Sequence, residues 1–167
     1  MNKREKALYF CRNQVKNNSI YLWGGSGEKV KSLTAKKICT METSEDNAKR
    51  VMAEIWKRVK NNTLTKHTKA YDCSGLQIKA LQYAGVLPKG YDDTANGLLN
   101  YFDKINMKDI QAGDLIFKCY ENGKAYHVAM YTGDGKGVII EAQGRDKGVV
   151  ESVIDSNYTE ARRPFYD

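Results

Sequence analysis

Tyr126-His127-Val128-Ala129-Met130-Tyr131-Thr132-Gly133-Asp134-Gly135-Lys136-Gly137-Val138-Ile139-Ile140-Glu141 reads as two strands joined by a glycine-rich reversal. The flanks are branched, aromatic and small residues with a period of two, and the glycines around Asp134 supply the turn. In the first strand Tyr126, Val128 and Met130 share one face, and His127, Ala129 and Tyr131 the other. A reversal centred on Asp134 places Glu141 opposite His127, while a slipped register offers Gln143 instead. A carboxylate there holds the imidazole tautomer and stabilises the imidazolium, which is the base-and-orienter half of a catalytic triad. A lone carboxylate among Val138, Ile139, Ile140 and Ala142 is costly unless partnered.

Alternation of this kind predicts strands at residues 114–119, 126–132, 138–143, 149–154 and 161–166. Before residue 112 the period is helical. Residues 3–15 keep Ala7, Leu8, Cys11 and Val15 on one face. Residues 76–84 repeat Leu76, Ala80, Leu81, Tyr83 and Ala84 before Gly85 stops them, and 94–102 form a shorter helix. Helices first and strands afterwards predict an α+β fold, with N-terminal helices packed on a small antiparallel sheet of about five or six strands.

A base needs a nucleophile, and Cys73 is placed to be one. It follows Asp72, a suitable N-cap, at the first turn of the 76–84 helix, where unpaired N–H groups and the macrodipole lower a thiol pKa. The chain has two histidines. His127 is preferred to His67, which precedes Cys73 closely in an irregular basic segment. The plain alternatives are a core thiol and a structural strand histidine.

Length and composition narrow the rest. A chain of 167 residues buries a core as one domain. Its 27 Lys and Arg against 20 Asp and Glu leave +7, which suits an anionic polymer or serves only as a solubilising excess. No basic run interleaves with aromatics, so nucleic-acid binding has no motif behind it. No stretch is apolar enough to span a membrane, and Arg12, Asn13 and Gln14 break any signal-peptide core. Cys11, Cys39, Cys73 and Cys119 are widely spaced with no CxxC pair, which argues against a metal. Their even count permits two disulfides in an oxidising setting, yet the missing signal peptide and modest cysteine content favour free thiols, and no cofactor is expected.

Two stretches precede Cys73. Ile20-Tyr21-Leu22-Trp23-Gly24-Gly25-Ser26-Gly27 breaks from an apolar run into glycines, as a loop brought close to other backbone does, with Tyr21 and Trp23 as core aromatics. Residues 28–70 are polar and basic. They hold one convincing helix, capped by Thr43 or Ser44, with Glu45 and Asp46 in its first turn and Met52, Ile55, Trp56 and Val59 as its buried stripe.

Three blocks, Asp72-Cys73-Ser74-Gly75-Leu76, Ala112-Gly113-Asp114-Leu115-Ile116-Phe117 and His127-Val128-Ala129-Met130-Tyr131-Thr132-Gly133, resemble in order and spacing the NlpC/P60 cysteine peptidases. Tyr21-Leu22-Trp23-Gly24-Gly25 looks like that family's upstream tyrosine-glycine segment. The resemblance implies a papain-like fold and hydrolysis of an amide bond in bacterial peptidoglycan, between D-glutamate and a diamino acid of the stem peptide. It makes Cys73 the nucleophile, His127 the base and Glu141 the third polar residue, and sets Tyr21 beside the cysteine. Asp72, Ser74 and Trp23 join Tyr21 as oxyanion or substrate-binding residues.

Two departures from the family stand out. Its third position is most often histidine, and a glutamate is expected to favour the imidazolium and move activity to higher pH. Its glycine segment usually lies much nearer its cysteine, so residues 28–70 read as an insertion within one catalytic domain spanning 1–167. The insertion either walls the substrate groove, where its basic residues suit anionic wall polymers, or only adds a packing helix. Other activities on this fold stay open: an N-acetylmuramoyl-L-alanine amidase, an acyltransferase, or a non-catalytic wall-binding or virion module. A wall hydrolase without a signal peptide suggests a phage or prophage lysin made in the cytoplasm and released by a partner pore, a tail-associated enzyme, an injected effector, or a domain cut from a longer exported chain.

Overall fold

Asn2 opens the first helix with a reciprocal cap: its side chain accepts from the Glu5 N–H at 2.8 Å, and the Glu5 carboxylate accepts from the Asn2 N–H at 2.8 Å. In the computed structural model, which describes residues 1–166, α1 (Lys3–Lys16) then buries Ala7, Leu8 and Cys11. The chain passes through β1 (Ile20–Tyr21) and β2 (Ser26–Lys29). These flank β3 (Lys69–Tyr71), β1 parallel and β2 antiparallel to it, in a three-stranded sheet.

Between β2 and β3 lie two helices, where the sequence predicted one. The additional helix, α2 (Ala35–Glu42), is capped by Thr34 and buries only Ile38 and Glu42, too few positions to register as a period. Thr43 ends it at φ +57, and Ser44 caps α3 (Glu45–Lys60). The stripe of α3 also differs from expectation. Ala48 and Val51 are buried with Met52 and Ile55 partly covered, whereas Trp56 is 66% and Val59 46% exposed. The stripe centres on Ala48, Val51 and Ile55, so Trp56 falls on its margin. Val59 lies in the last turn, past the small cluster of Ile20, Leu22, Val30, Ile38 and Ala70.

α4 (Cys73–Tyr83) is the central helix, with Leu76, Gln77, Ile78, Ala80 and Leu81 all buried. It packs against α1 on one side and the large sheet on the other, so more than the single predicted face is covered. Tyr83, expected on the buried face, is half exposed and lies near Tyr9 and Phe10. Gly25 and Gly75 let the helix start approach the small sheet. A Cβ on Gly75 would sit 2.1 Å from the Gly25 carbonyl oxygen, and that oxygen accepts the Asp72 N–H at 2.9 Å.

α5 (Ala95–Tyr101), capped by Thr94, leads into the large sheet. Its strands are β4 (Asp103–Ile105), β5 (Leu115–Cys119), β6 (Ala125–Tyr131), β7 (Val138–Gly144), β8 (Gly148–Val153) and β9 (Tyr158–Arg163). They run in the order β4-β9-β5-β6-β7-β8, every neighbouring pair antiparallel. β4 is a three-residue edge strand that alternation does not announce. The last strand begins three residues earlier than predicted and ends before Pro164, which has no N–H to give to a ladder.

Both faces of the sheet are covered. Leu115, Phe117, Val128, Met130 and Ile140 meet α4 and α1. Ile116, Ala129, Tyr131, Ile139 and Tyr158 form the opposite cluster.

Candidate active site

Thr132 donates its N–H to the Val138 carbonyl, and Asp134 accepts from the Lys136 and Val138 N–H groups, closing the β6–β7 loop. The register pairs Met130 with Ile140 and Tyr131 with Ile139. The reversal therefore centres on Gly135, not on Asp134, because Gly133, Gly135 and Gly137 all take positive φ and lengthen the loop. Continued along the strands, this register sets Gln143 across from His127 and leaves Glu141 on the diagonal. Glu141 nonetheless makes the contact, with Oε1 3.1 Å from His127 Nε2, while Gln143 is exposed.

Glu141 is 1% exposed. Its Oε2 accepts from Ser152 Oγ at 2.5 Å and from Tyr158 Oη at 2.8 Å. Burial works against the charge, yet bonds from His127, Ser152 and Tyr158 hold the carboxyl below its ordinary value. Ser152 and Tyr158 escaped sequence reading. The available signal was the cost of burying Glu141, which demanded hydroxyl donors from the strands that follow it.

With Nε2 directed at Glu141, the ring presents Nδ1 as its other nitrogen. His127 and Cys73 line one cleft of about 690 Å³. Among the described residues no hydrogen bond joins the thiol to the ring. The thiol sits against the backbone N–H of Val128, the residue after His127, and those of Ser74 and Cys73 itself.

The thiol pKa departs from expectation. Burial first, and the Asp72 carboxylate second, push Cys73 up to about 11, outweighing the backbone N–H groups that pull it down. The helix start does favour the thiolate, but the depth of the site is not written in a local motif. Asp72 is largely consumed by structure. Its Oδ1 accepts from the Gly75 N–H at 2.7 Å and from Ser74 Oγ at 3.3 Å, and its Oδ2 from the Gly24 N–H at 3.1 Å. Burial raises its pKa against those bonds.

Tyr21 and Trp23 also reach the cleft. Tyr21 is 8% exposed, and burial drives its phenol pKa upward, so it remains an O–H donor. Trp23 is 55% exposed and belongs to the cleft wall, not to the core. Its backbone N–H donates to Glu42 Oε1 at 2.7 Å, and Arg145 Nε donates to Glu42 Oε2 at 2.7 Å. Arg145 and the exposed Tyr120 and Tyr126 line the cleft too, as do Asp92 and Asp93, and sequence reading missed all five. His67 is exposed in the loop before β3, away from the cleft lining.

The family model for NlpC/P60 matches residues 18–163. The chain belongs to the NlpC/P60 family. A gamma-D-glutamyl-L-lysine dipeptidyl-peptidase of Bacillus subtilis (strain 168) is 29% identical to this NlpC/P60 chain over 101 residues, 57% of the chain and 33% of that protein. The chain thus spans about a third of that relative's length. The peptidoglycan hydrolase RipB of Mycobacterium tuberculosis superposes with a TM-score of 0.65 at 22% identity, over 99% of this chain and 66% of its own. The P60 domain of an M. avium subspecies paratuberculosis antigen gives 0.65 at 21%, over 99% and 96%. RipD of M. tuberculosis, a non-catalytic NlpC/p60 domain protein adapted to peptidoglycan binding, gives 0.62 at 19%, over 98% and 98%. These likenesses establish the α+β fold of the family.

Proposed function

We propose that this chain is a peptidoglycan endopeptidase that cleaves the amide between the γ-carboxyl of D-glutamate and the diamino acid of the stem peptide, through an acyl-enzyme on Cys73. The observation that carries this reading is the His127–Glu141 pair at 3.1 Å beside the Cys73 thiol in one cleft. Family membership supports it, as does the activity named for the B. subtilis relative.

In this mechanism the resting thiol is neutral, since its pKa is pushed up to about 11, so attack is coupled to proton transfer. His127 Nδ1 takes the proton as Sγ adds to the scissile carbonyl. Glu141 stabilises the imidazolium and fixes the ring. The Cys73 N–H and the Tyr21 hydroxyl donate to the oxyanion. His127 then protonates the leaving amine, and the same residue draws a proton from the water that hydrolyses the thioester. The products are a free γ-carboxylate and a peptide with a new amino terminus.

Digestion of purified peptidoglycan followed by identification of the new ends tests the reading. New amines on the diamino acid are expected, and are absent with Cys73→Ala. Free lactyl carboxyls would make the chain an amidase instead. Retention on the wall with no new ends would make it a binding module of the kind RipD is.

A further inference from the structure

Arg145 opens the turn from β7 to β8 and lines the cleft. Its Nε is committed to Glu42, which has no exposed side-chain surface, and its guanidinium lies 5.3 Å from the Tyr21 ring centroid. A guanidinium fixed at one nitrogen and stacked on a ring is held in a single plane. Both Nη groups donate to no protein acceptor among the described residues. The side chain keeps 18% of its surface open and lines the same cleft as Cys73 and His127.

The neighbouring carboxylate, Asp146, is diverted. Arg50 of α3 takes both of its oxygens, at 2.6 and 3.1 Å. Residues 28–70 therefore act twice beside Arg145, through Glu42, which orients it, and through Arg50, which pairs with the adjacent Asp146. Two adjacent N–H donors in one plane match a carboxylate.

We infer that Arg145 is a specificity residue that binds the free α-carboxylate of the γ-linked glutamyl residue, so that the site selects stems whose D-glutamate is not amidated. This rests on the stem-peptide reading above, in which a γ-linkage leaves the α-carboxylate unblocked, three carbons away from the scissile carbonyl. An α-carboxamide puts an NH2 group against the guanidinium in place of one acceptor oxygen.

The test uses the full chain carrying Cys73→Ala, titrated calorimetrically with L-Ala-γ-D-Glu-L-Lys and with its D-isoglutamine counterpart, both as C-terminal amides. The carboxylate peptide is expected to bind about tenfold tighter or more, and adding Arg145→Gln to bring the ratio near one. Because that variant strands Glu42, the titration is repeated with Glu42→Gln/Arg145→Gln, where the ratio must also collapse. Equal binding of the two peptides, a ratio that survives either variant, or binding of neither peptide overturns the inference. Turnover by the chain with Cys73 intact reports separately. Selective binding without cleavage keeps the receptor and refutes the peptidase, and cleavage without selectivity does the reverse.

Discussion

Glu141 gathers three donors around one buried carboxylate, and that arrangement has consequences in both activity and stability. In Glu141→Gln the side chain keeps its shape but has one acceptor oxygen for His127, Ser152 and Tyr158 together, so kcat/KM is expected to fall by about 10²-fold or more. Its folded-state pKa is held below the ordinary 4.5, so the stabilisation from its charge is present above pH 4.5 and is lost as pH falls through the folded value. The gap in Tm between the protein and Glu141→Gln should therefore be widest near neutrality and close below pH 4.5. Cys73 gives a second prediction. A thiol shifted from 9.0 to about 11 holds about 100-fold less thiolate at neutral pH. In His127→Ala, iodoacetamide should alkylate Cys73 at pH 7.5 about 10²-fold more slowly than in the unfolded chain; equal rates would refute the burial argument. That Cys73, His127 and Glu141 belong to one candidate site was legible because the choices were few, two histidines and one carboxylate in an apolar strand. The direction of the thiol shift was not, because a local motif reports the helix dipole and says nothing of how deeply the first turn is buried.

Among the elements, legibility followed length and burial. Long periodic segments such as α1, α3 and β5 to β8 could be read. α2 and β4 could not, having two buried residues and three residues in all. The β6–β7 register came out two residues off because three positive-φ glycines lengthen the loop, yet a shift of two preserves the face, and Glu141 still meets His127. The junction of α4 with the glycine loop yields a sharper expectation. Gly75→Ala would drive a methyl into the Gly25 carbonyl, a backbone atom with no rotamer to retreat to, so the helix start must move. A loss of about 3 kcal/mol in urea denaturation is expected, with activity falling further because Cys73 moves along with the turn.

Across the whole molecule, charge is unevenly placed. Residues 28–70 hold 11 Lys and Arg against 5 Asp and Glu, so they account for +6 of the +7. The segment has a small core of its own, shared with β1 and β3, and two ion pairs with the β7–β8 turn. If this charge meets anionic wall polymers, retention on intact walls should fall steeply between about 50 and 500 mM salt, over which the Debye length shortens about threefold. Replacing Lys36, Lys37, Lys49 and Lys57 with Gln should flatten that dependence, whereas walls stripped of anionic polymer should show none. Excising the loop between α3 and β3 would not test the role of this segment: Thr68 is buried, donates to the Asn17 carbonyl at 2.8 Å and accepts the Val30 N–H at 3.1 Å, so its removal disturbs the small sheet.

Gln77, one turn beyond Cys73 and fully buried, donates through Nε2 to the Ile140 carbonyl at 3.1 Å, while its Oε1 accepts from the Cys11 thiol at 3.7 Å. Ile140 adjoins Glu141. One side chain thus works as a ruler between the helix that carries Cys73 and the strand that carries Glu141. Gln77→Leu would preserve bulk and lose the graduation. Such a protein should stay folded, at a cost of about 1–3 kcal/mol, and yet lose turnover on warming several degrees before its tertiary signal melts, with helix and strand still packed but no longer in step.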